Sequence, residues 1–241
     1  MTMRGEHVEY EGRDLEAMAF ARNYHAWIRD QFAEFVRGDV AEVGAGDGTF
    51  SALLLPLAPR SLTLFEPSAA MHARQPRQLR SAPWLRRVNA AFGAGGPAHA
   101  GAFDCLLYVN VLEHIGDDER ELALAFEALR PGGHLCVFVP ALPWLMSDFD
   151  RRIGHHRRYR RHELRRKLRT AGFAVRRDHY VDGLGVLPWL LCMRLGRRDL
   201  SPAAVVAYDR HVVPALRALE TRVRPLIGKN VLAVAQRPPR D

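Results

Sequence analysis

The sequence predicts an α/β fold in which a mostly parallel sheet of seven strands carries helices on both faces. Short apolar runs that suit buried strands alternate along the chain with segments of helical periodicity, and this alternation is typical of parallel sheets. The first run ends in a glycine-rich turn at Gly44, Gly46 and Gly48, and a helix follows it. Because ligands bind such sheets where the parallel strands end, the turn predicts a binding site at that edge.

The first part of the chain supplies five of the predicted strands. Residues 14–37 have the apolar spacing of a leading helix, which Gly38 ends. A helix over 121–129 begins after an acidic stretch and ends at the turn Pro131-Gly-Gly133. The other elements predicted here are strands at 39–43, 62–66, 85–90, 103–109 and 134–139 and helices at 51–57 and 68–74.

The pattern changes after the fifth strand. Residues 140–160 have no clean period, carry several aromatic and imidazole rings and leave from the ligand-binding edge, so they are predicted to form a lid. A basic helix at 161–171, a strand at 173–181 and a last strand at 230–235 follow.

Residues 182–229 are predicted to form a helical insertion before the last strand. They contain an apolar segment, 184–195, and a helix or helix pair, 201–224, broken at Pro214. With its flanking arginines, the stretch 184–198 can rest on a membrane interface, but packing on the domain or a homodimer contact is favoured.

Composition indicates one soluble domain with insertions. The chain has 241 residues, of which 48% are hydrophobic, but no apolar run of 18 residues or more. Residues 1–11 are charged and lack the apolar core of a signal peptide, so a cytoplasmic protein is expected. The cysteines Cys105, Cys136 and Cys192 are widely spaced and predict neither a disulfide framework nor a metal site.

The positive charge is concentrated in one stretch. The formal net charge is +8, and residues 151–169 hold ten Lys or Arg against the single Glu163. Such a patch suits phosphate, carboxylate or a membrane surface, and it is equally the solvated face of an arginine-rich helix.

The glycine turn and a carboxylate on the second strand together predict a nucleoside-binding site. The third glycine of the turn lies two positions after the second, whereas the dinucleotide pattern G-x-G-x-x-G of NAD-binding proteins places it three positions after. This spacing argues against NAD. Glu66 ends the second strand about 20 residues past the glycines, where an acidic side chain can accept both hydrogen bonds of a ribose diol.

Four motifs resemble the class I S-adenosylmethionine-dependent methyltransferases. They are Glu42-Val-Gly-Ala-Gly-Asp-Gly48, Phe65-Glu-Pro-Ser68, Tyr108-Val-Asn-Val-Leu-Glu-His114 and Leu129-Arg-Pro-Gly-Gly-His-Leu135, in the order of that family. The resemblance covers roughly residues 38–140. It implies a Rossmann-like fold and S-adenosyl-L-methionine as the cofactor.

The resemblance also implies which residues line the cofactor. Glu42 and the glycine turn line its methionine part, Glu66 holds the ribose, and a leading segment covers it through Tyr24 or Trp27, although core packing is favoured for Trp27. Asn89-Ala-Ala91 stands where the family often has an acidic residue for the adenine amine. The implied cofactor-binding residues are Tyr24, Glu42, Gly44, Ala45, Gly46, Glu66, Pro67, Met71, Asn89, Ala90, Asn110 and Val111.

Methyl transfer requires an aligned nucleophile and removal of its proton. The candidate catalytic residues are His155, His114 and Tyr159, and His155 is predicted as the general base. The stretch Asp150 to Tyr159 resembles a Gly-His-x-Arg-Arg-Tyr element of bacterial small-molecule and sugar-pathway methyltransferases of this class. That resemblance implies O- or N-methylation of a small, sugar-like or lipid-linked acceptor with a polar or anionic group.

The arginines of this element allow two interpretations. Arg157 and Arg158 can clamp an anionic acceptor with paired hydrogen bonds, or one of them can pair with Asp148 or Asp150. Asp150 can also orient a histidine. The predicted substrate-binding residues are His156, Arg157, Arg158 and Trp144.

Two other functions stay open. An RNA methyltransferase would use the basic patch, although Asn110-Val-Leu-Glu113 differs from the Asn-Pro-Pro-aromatic signature of enzymes that methylate base amines. A regulatory protein would bind the cofactor without turnover. A small-molecule acceptor is the expected partner, and duplex nucleic acid is not.

Overall fold

The computed structural model describes residues 20–80, 82–94, 99–195 and 201–239. Its central sheet consists of β1 (Asp39–Val43), β2 (Ser61–Phe65), β3 (Leu85–Val88), β4 (Phe103–Val109), β5 (Leu129–Pro140), β6 (Ala174–Val181) and β7 (Asn230–Gln236). The seven strands lie in the order β3-β2-β1-β4-β5-β7-β6. Strands β1 to β5 are parallel to one another, and β7 is antiparallel to both β5 and β6. The predicted fold class is confirmed.

Helices pack on both faces of this sheet. They are α1 (Arg22–Phe32), α2 (Ser51–Leu54), α3 (Ala69–Arg74), α4 (Asp118–Ala128), α5 (Asp148–Arg152), α6 (Arg161–Thr170), α7 (Val186–Trp189), α8 (Pro202–His211) and α9 (Val213–Glu220). One core cluster lies under α4 and α6, and another lies under α1, α2, α8 and α9. Val40 and Ala41 of β1 enter opposite clusters, which explains why the strand is apolar on both faces.

The elements around the Pro-Gly-Gly turn begin earlier than the sequence predicts. Helix α4 starts before residue 121, because the side chain of Asp117 accepts a hydrogen bond of 3.0 Å from an amide in the first turn. Strand β5 starts at Leu129 and not at His134. Its glycines continue the ladder, since they exchange backbone hydrogen bonds with Arg237 just beyond β7.

Helix α1 covers part of the predicted leading segment 14–37, of which residues 14–19 lie outside the described residues. Its start is capped by a distant part of the chain. The carboxylate of Asp209 in α8 accepts the amide N–H of Asn23 at 3.0 Å and that of Tyr24 at 2.8 Å. These amides belong to the first turn, which a helix leaves without internal partners.

The helices of the insertion therefore pack on α1. Val205 of α8 and Leu216 of α9 join the core cluster of α1, and Arg217 lies 2.6 Å from the carboxylate of Asp30. The predicted helix pair is present, and its break lies at Val212, directly before the turn of α9 that contains Pro214. Proline is tolerated in the first turn of α9, where an amide donor is not needed.

The apolar segment 184–195 is only partly covered. Val186 is buried, whereas Leu184, Leu187 and Leu191 are exposed. Within the residues that the structure describes, no helix is long and apolar enough to cross a membrane. Contacts of this segment with a membrane interface or a second copy stay predictions.

Candidate active site

The carboxyl ends of the parallel strands open into a cavity of about 500 Å³. This volume lies in the range of small-molecule sites, roughly 300–1,000 Å³. The cavity is lined by residues from the glycine turn, the ends of β2 and β4, the predicted lid and the insertion: Tyr24, His25, Glu42, Val43, Gly44, Ala45, Gly46, Asp47, Thr49, Phe50, Phe65, Glu66, Pro67, Ser68, Ala91, Phe92, Val109, Asn110, Val111, Glu113, His114, Ile115, Glu121, Pro140, Phe149, Ile153, His155, Arg158, Trp189, Lys229 and Asn230.

The glycine turn forms one wall because its backbone adopts a left-handed conformation. Gly44 has φ +69°, and a Cβ on it would lie 2.5 Å from a methyl group of Val111. The amides of Gly44 and Ala45 donate to the carbonyl of Phe65 at 2.8 and 3.0 Å. A side chain at Gly44 would therefore both strain the turn and collide with the opposite wall.

Glu66 holds this turn and also faces the cavity. Its two carboxylate oxygens accept the amides of Gly46 and Ser68, each at 2.7 Å. Burial raises the pKa of this carboxyl. Each oxygen has further acceptor capacity, so the hydroxyls of a ribose can still bind to Glu66.

Where the adenine is predicted to bind, the residues that line the cavity differ from those that the resemblance implies. Pro67 lines the cavity, but Met71 is buried in the core, and Asn89 donates its side-chain amide to the carbonyls of Glu66 and Pro67 at 2.8 and 3.3 Å. Asn89 thus fixes the loop, and neither it nor Ala90 lines the cavity. The following residues, Ala91 and Phe92, line it instead.

Asn110 and Val111 lie at the other end, next to a short helical turn, Leu112–His114. Asn110 has φ +54°, and its amide donates to the carbonyl of Phe138 at 2.8 Å. This conformation ends β4 sharply and turns the chain into the cavity. Glu113 and His114 of the helical turn line the cavity in consequence.

A buried carboxylate orients His155, as the sequence analysis suggested for Asp150. The Nδ1 atom of His155 lies 3.0 Å from Oδ1 of Asp150, and Arg158 donates to the same oxygen at 2.7 and 3.0 Å. Although burial raises the pKa of Asp150, the hydrogen bonds from His155 and Arg158 hold it well below its usual range. An ionised carboxylate only accepts, so Nδ1 carries the proton and Nε2 of His155 presents a lone pair.

Glu113 and His114 lie beside the ring of His155. Nε2 lies 3.9 Å from Oε1 of Glu113, and the rings of His155 and His114 meet edge to face at 4.6 Å. Glu113 is 0% exposed, and neither of its carboxylate oxygens has a hydrogen-bond partner in the described part of the chain. Burial raises the pKa of Glu113 to about 7 and lowers that of His114 to about 3.

The structure corrects the roles predicted for Tyr159 and Arg157. The hydroxyl of Tyr159 is fully buried and donates to Asp118 at 2.7 Å. Arg157 also pairs with Asp118 at 2.7 Å and donates to the carbonyl of Gly116. Neither residue lines the cavity, because both link the predicted lid to the start of α4.

His156 and Trp144 also lie away from the cavity. His156 is exposed and donates its amide to the carbonyl of Glu113 at 2.8 Å, and the side chain of Trp144 is 51% exposed. Arg158 does line the cavity, with its guanidinium 4.5 Å from the ring centre of Trp189. Trp189, from the insertion, thus occupies the wall that the sequence analysis assigned to Trp144.

Part of the positive charge of the basic patch is neutralised by internal ion pairs with four aspartates. Six of the ten Lys and Arg residues between 151 and 169 pair with aspartates: Arg151 with Asp148, Arg157 and Lys167 with Asp118, Arg158 with Asp150, and Arg161 and Arg165 with Asp178. The patch therefore offers much less free charge to a polyanion than its composition indicates.

Sequence comparison assigns the chain to a family. A family model described as a methyltransferase domain matches residues 13–177. The chain belongs to this methyltransferase family. It is 31% identical to a trans-aconitate 2-methyltransferase of Deinococcus radiodurans over 188 residues, which cover 73% of the chain and 63% of the relative. It is also 31% identical to a probable S-adenosylmethionine-dependent methyltransferase of Mycolicibacterium smegmatis over 153 residues, covering 61% and 54% of the two proteins.

The methyltransferase chain spans less than two thirds of the length of these curated relatives. Its fold is that of solved methyltransferases. A SAM-dependent methyltransferase from Archaeoglobus fulgidus superposes with a TM-score of 0.61 at 15% identity, covering 92% of this chain and 98% of that protein.

The family and the fold imply S-adenosyl-L-methionine as the cofactor, and the residues present fit it. Gly44 leaves room that a Cβ would fill, and Glu66 lines the cavity, as the predicted ribose contact requires. Glu42 is buried at the cavity wall, and its Oε2 has no hydrogen-bond partner among the described residues. The cationic methionine part of the cofactor would supply a counter-charge to the ionised form of this carboxyl.

Glu42 predicts how cofactor affinity depends on pH. Burial raises the pKa of its carboxyl to about 8, so below pH 8 a bound cation has to displace a proton. We expect the affinity for S-adenosylmethionine to rise with pH between 6 and 8, by up to roughly tenfold per unit. Titration calorimetry of the wild type and Glu42→Gln measures this, and the variant should show a flatter profile. Equal slopes for the two proteins would contradict the role of Glu42.

Several cavity residues were not predicted from the sequence. Phe149 and Trp189 are apolar wall residues without a motif. Lys229 and Asn230 lie at the start of β7, and an antiparallel strand begins at the edge where the parallel strands end. Glu113 lies inside a motif that was recognised, next to His114, but no role was assigned to it.

Proposed function

We propose that this methyltransferase transfers the methyl group of S-adenosylmethionine to an oxygen or nitrogen of a small acceptor, such as a sugar-like or lipid-linked molecule with a polar or anionic group. The observation that carries this proposal is the composition of the cavity beyond Asn110. Apolar side chains from the predicted lid and the insertion, Phe149, Ile153 and Trp189, enclose a few polar groups there. Small-molecule sites have this composition.

The cofactor supplies a methyl carbon activated by a sulfonium, and the chain has to align the acceptor and handle its proton. His155 is the candidate group for the proton, because Asp150 fixes its ring with Nε2 toward the cavity. Glu113 lies beside Nε2 and can stabilise a charged imidazole.

Lys229 is the group that best suits an anionic part of the acceptor. Its amine lies 5.0 Å from the ring centre of Tyr24 and 5.7 Å from that of Trp189, at the cavity wall. Its present partner is Asp182 at 3.1 Å. Lys229 takes the role predicted for Arg157, because Lys229 lines the cavity and Arg157 does not.

The relative from Deinococcus radiodurans supports a small acceptor, since it is named as a trans-aconitate 2-methyltransferase. An RNA acceptor is less well supported, because six of the ten cations of the basic patch are paired internally. A bound nucleic acid would have to break these pairs before its phosphates could use the charge.

Transfer of a labelled methyl group tests the proposal. The protein is incubated with labelled cofactor and with three pools: water-soluble metabolites, a detergent-solubilised lipid extract and bulk RNA. We expect label in one of the first two pools. Label in RNA would favour the nucleic-acid alternative, and cofactor binding without transfer to any pool would favour a protein that binds the cofactor without turnover.

A further inference from the structure

A cluster of metal-ligating side chains lies at the reacting end of the cavity. One donor atom from each of Glu113, His114 and His155 lies within 4.8 Å of the other two. All three residues line the cavity. The sequence analysis predicted no metal site because it considered only the cysteines, and these histidines are 41 residues apart.

The buried carboxylate of Glu113 is an independent indication of a ligand. The side chain is 0% exposed, and both of its oxygens lack a hydrogen-bond partner in the described ranges. Burying such a group without a partner is costly. A cation bound between Glu113 and the two imidazoles would satisfy the carboxylate, and protein groups nearby do not.

The hydrogen bond of His155 with Asp150 also orients the imidazole ring for metal binding. Asp150 accepts from Nδ1 at 3.0 Å, so the tautomer with a lone pair on Nε2 is fixed, as in carboxylate–histidine–metal arrangements. Arg158 pairs with Asp150 at 2.7 Å, so Glu113 is the carboxyl group of this region whose oxygens have no hydrogen-bond partner among the described residues. His114 is held by a hydrogen bond with the backbone of Gly154.

We propose that Glu113, His114 and His155 bind a divalent transition-metal cation of the Zn²⁺ type, with open coordination positions facing the cavity. Two imidazoles and one carboxylate are ligands that such cations accept, and a site with three protein ligands leaves room for a substrate atom. The 3.9 Å between Nε2 of His155 and Oε1 of Glu113 exceeds the spacing of about 3.4 Å at a tetrahedral site with bonds of about 2.1 Å. Small side-chain rotations close this gap.

The proposed cation narrows the choice of the acceptor atom. An acceptor hydroxyl that occupies an open position would be acidified by the cation, as metal-bound water is. This consequence rests on the proposed function and favours an oxygen acceptor over a nitrogen acceptor. Binding of the cation itself does not depend on methyl transfer.

Cobalt spectroscopy tests the site directly. Protein freed of metal by dialysis against a chelator is titrated with Co²⁺ and followed by its visible d–d absorption, and Zn²⁺ is then added as a competitor. We expect one Co²⁺ per chain, with bands that Zn²⁺ removes. His155→Ala and Glu113→Gln should abolish the bands, and Asp150→Asn should lower the affinity by about 10–100-fold.

The matched control is His156→Ala, which removes the neighbouring exposed histidine and should leave the titration unchanged. Binding of S-adenosylmethionine and circular dichroism verify that each variant is folded. Absence of Co²⁺ bands in the wild type, or bands of equal strength in His155→Ala, would overturn the proposal. The labelled-transfer assay is separate: a protein that binds Co²⁺ through this cluster but labels no acceptor would refute the proposed function and leave the metal site standing.

Discussion

The substitution His155→Ala is expected to lower turnover by about 10²–10⁴-fold, the usual contribution of a group that handles the reacting proton. Affinity for S-adenosylmethionine should stay nearly constant, because His155 contacts Asp150, Glu113 and His114, none of which is a predicted cofactor-binding residue. The ring is needed in either arrangement, whether it takes the proton of the acceptor itself or holds the inferred cation.

Steady-state kinetics with the acceptor found in the labelling screen measure this effect, with His156→Ala as the control. His156 is exposed and outside the cavity, so its loss should have little effect. A pH–rate profile of the His155 and His114 variants adds a second readout. A raised Michaelis constant in His155→Ala, with turnover and the acid limb unchanged, would mean that the ring only binds the acceptor.

The substitution Glu66→Ala is expected to weaken cofactor binding by on the order of 2–4 kcal/mol, through the loss of two charge-assisted hydrogen bonds to the ribose. Glu66 also accepts the amides of Gly46 and Ser68, each at 2.7 Å, so the variant loosens the turn as well. Glu66→Gln is the milder change, because its single carbonyl oxygen can keep part of the hydrogen bonds to the turn and to the ribose.

Titration calorimetry with S-adenosylmethionine and with NAD decides both points. The wild type should prefer S-adenosylmethionine, Glu66→Gln should lose part of the affinity, and Glu66→Ala should lose most of it. An unchanged affinity in Glu66→Ala would refute the ribose role. A wild type that binds NAD more tightly would refute the cofactor assignment.

Local signals predicted the parallel part of the fold well. Val40 and Ala41 carry the apolar pattern of a strand with both faces covered, and this pattern needs no tertiary information. The start of β5 at Leu129 was missed because residues 131–133 read as a turn. Gly132 does turn, with φ +85°, but hydrogen bonds with Arg237 keep this stretch in the strand, and that partner lies about a hundred residues away, where no local pattern reveals it.

The residues around the acceptor were predicted less well, because their partners are also distant in the sequence. A sequence shows that Arg157 is cationic and that Tyr159 carries a hydroxyl, but it does not show which carboxylate is folded against them. Asp118 takes both. The predicted link between Asp150 and His155 is present, since the two residues are five positions apart and close on one short turn.

Helix α1 depends on residues that are synthesised much later. Its first amides are capped by Asp209, and the hydroxyl of Tyr24 donates to Asn230 at 2.9 Å. A helix of 11 residues is marginal by itself in water. On the ribosome, α1 should therefore stay unformed until α8 and β7 have emerged, so the wall of the cofactor cavity that contains Tyr24 can close only then.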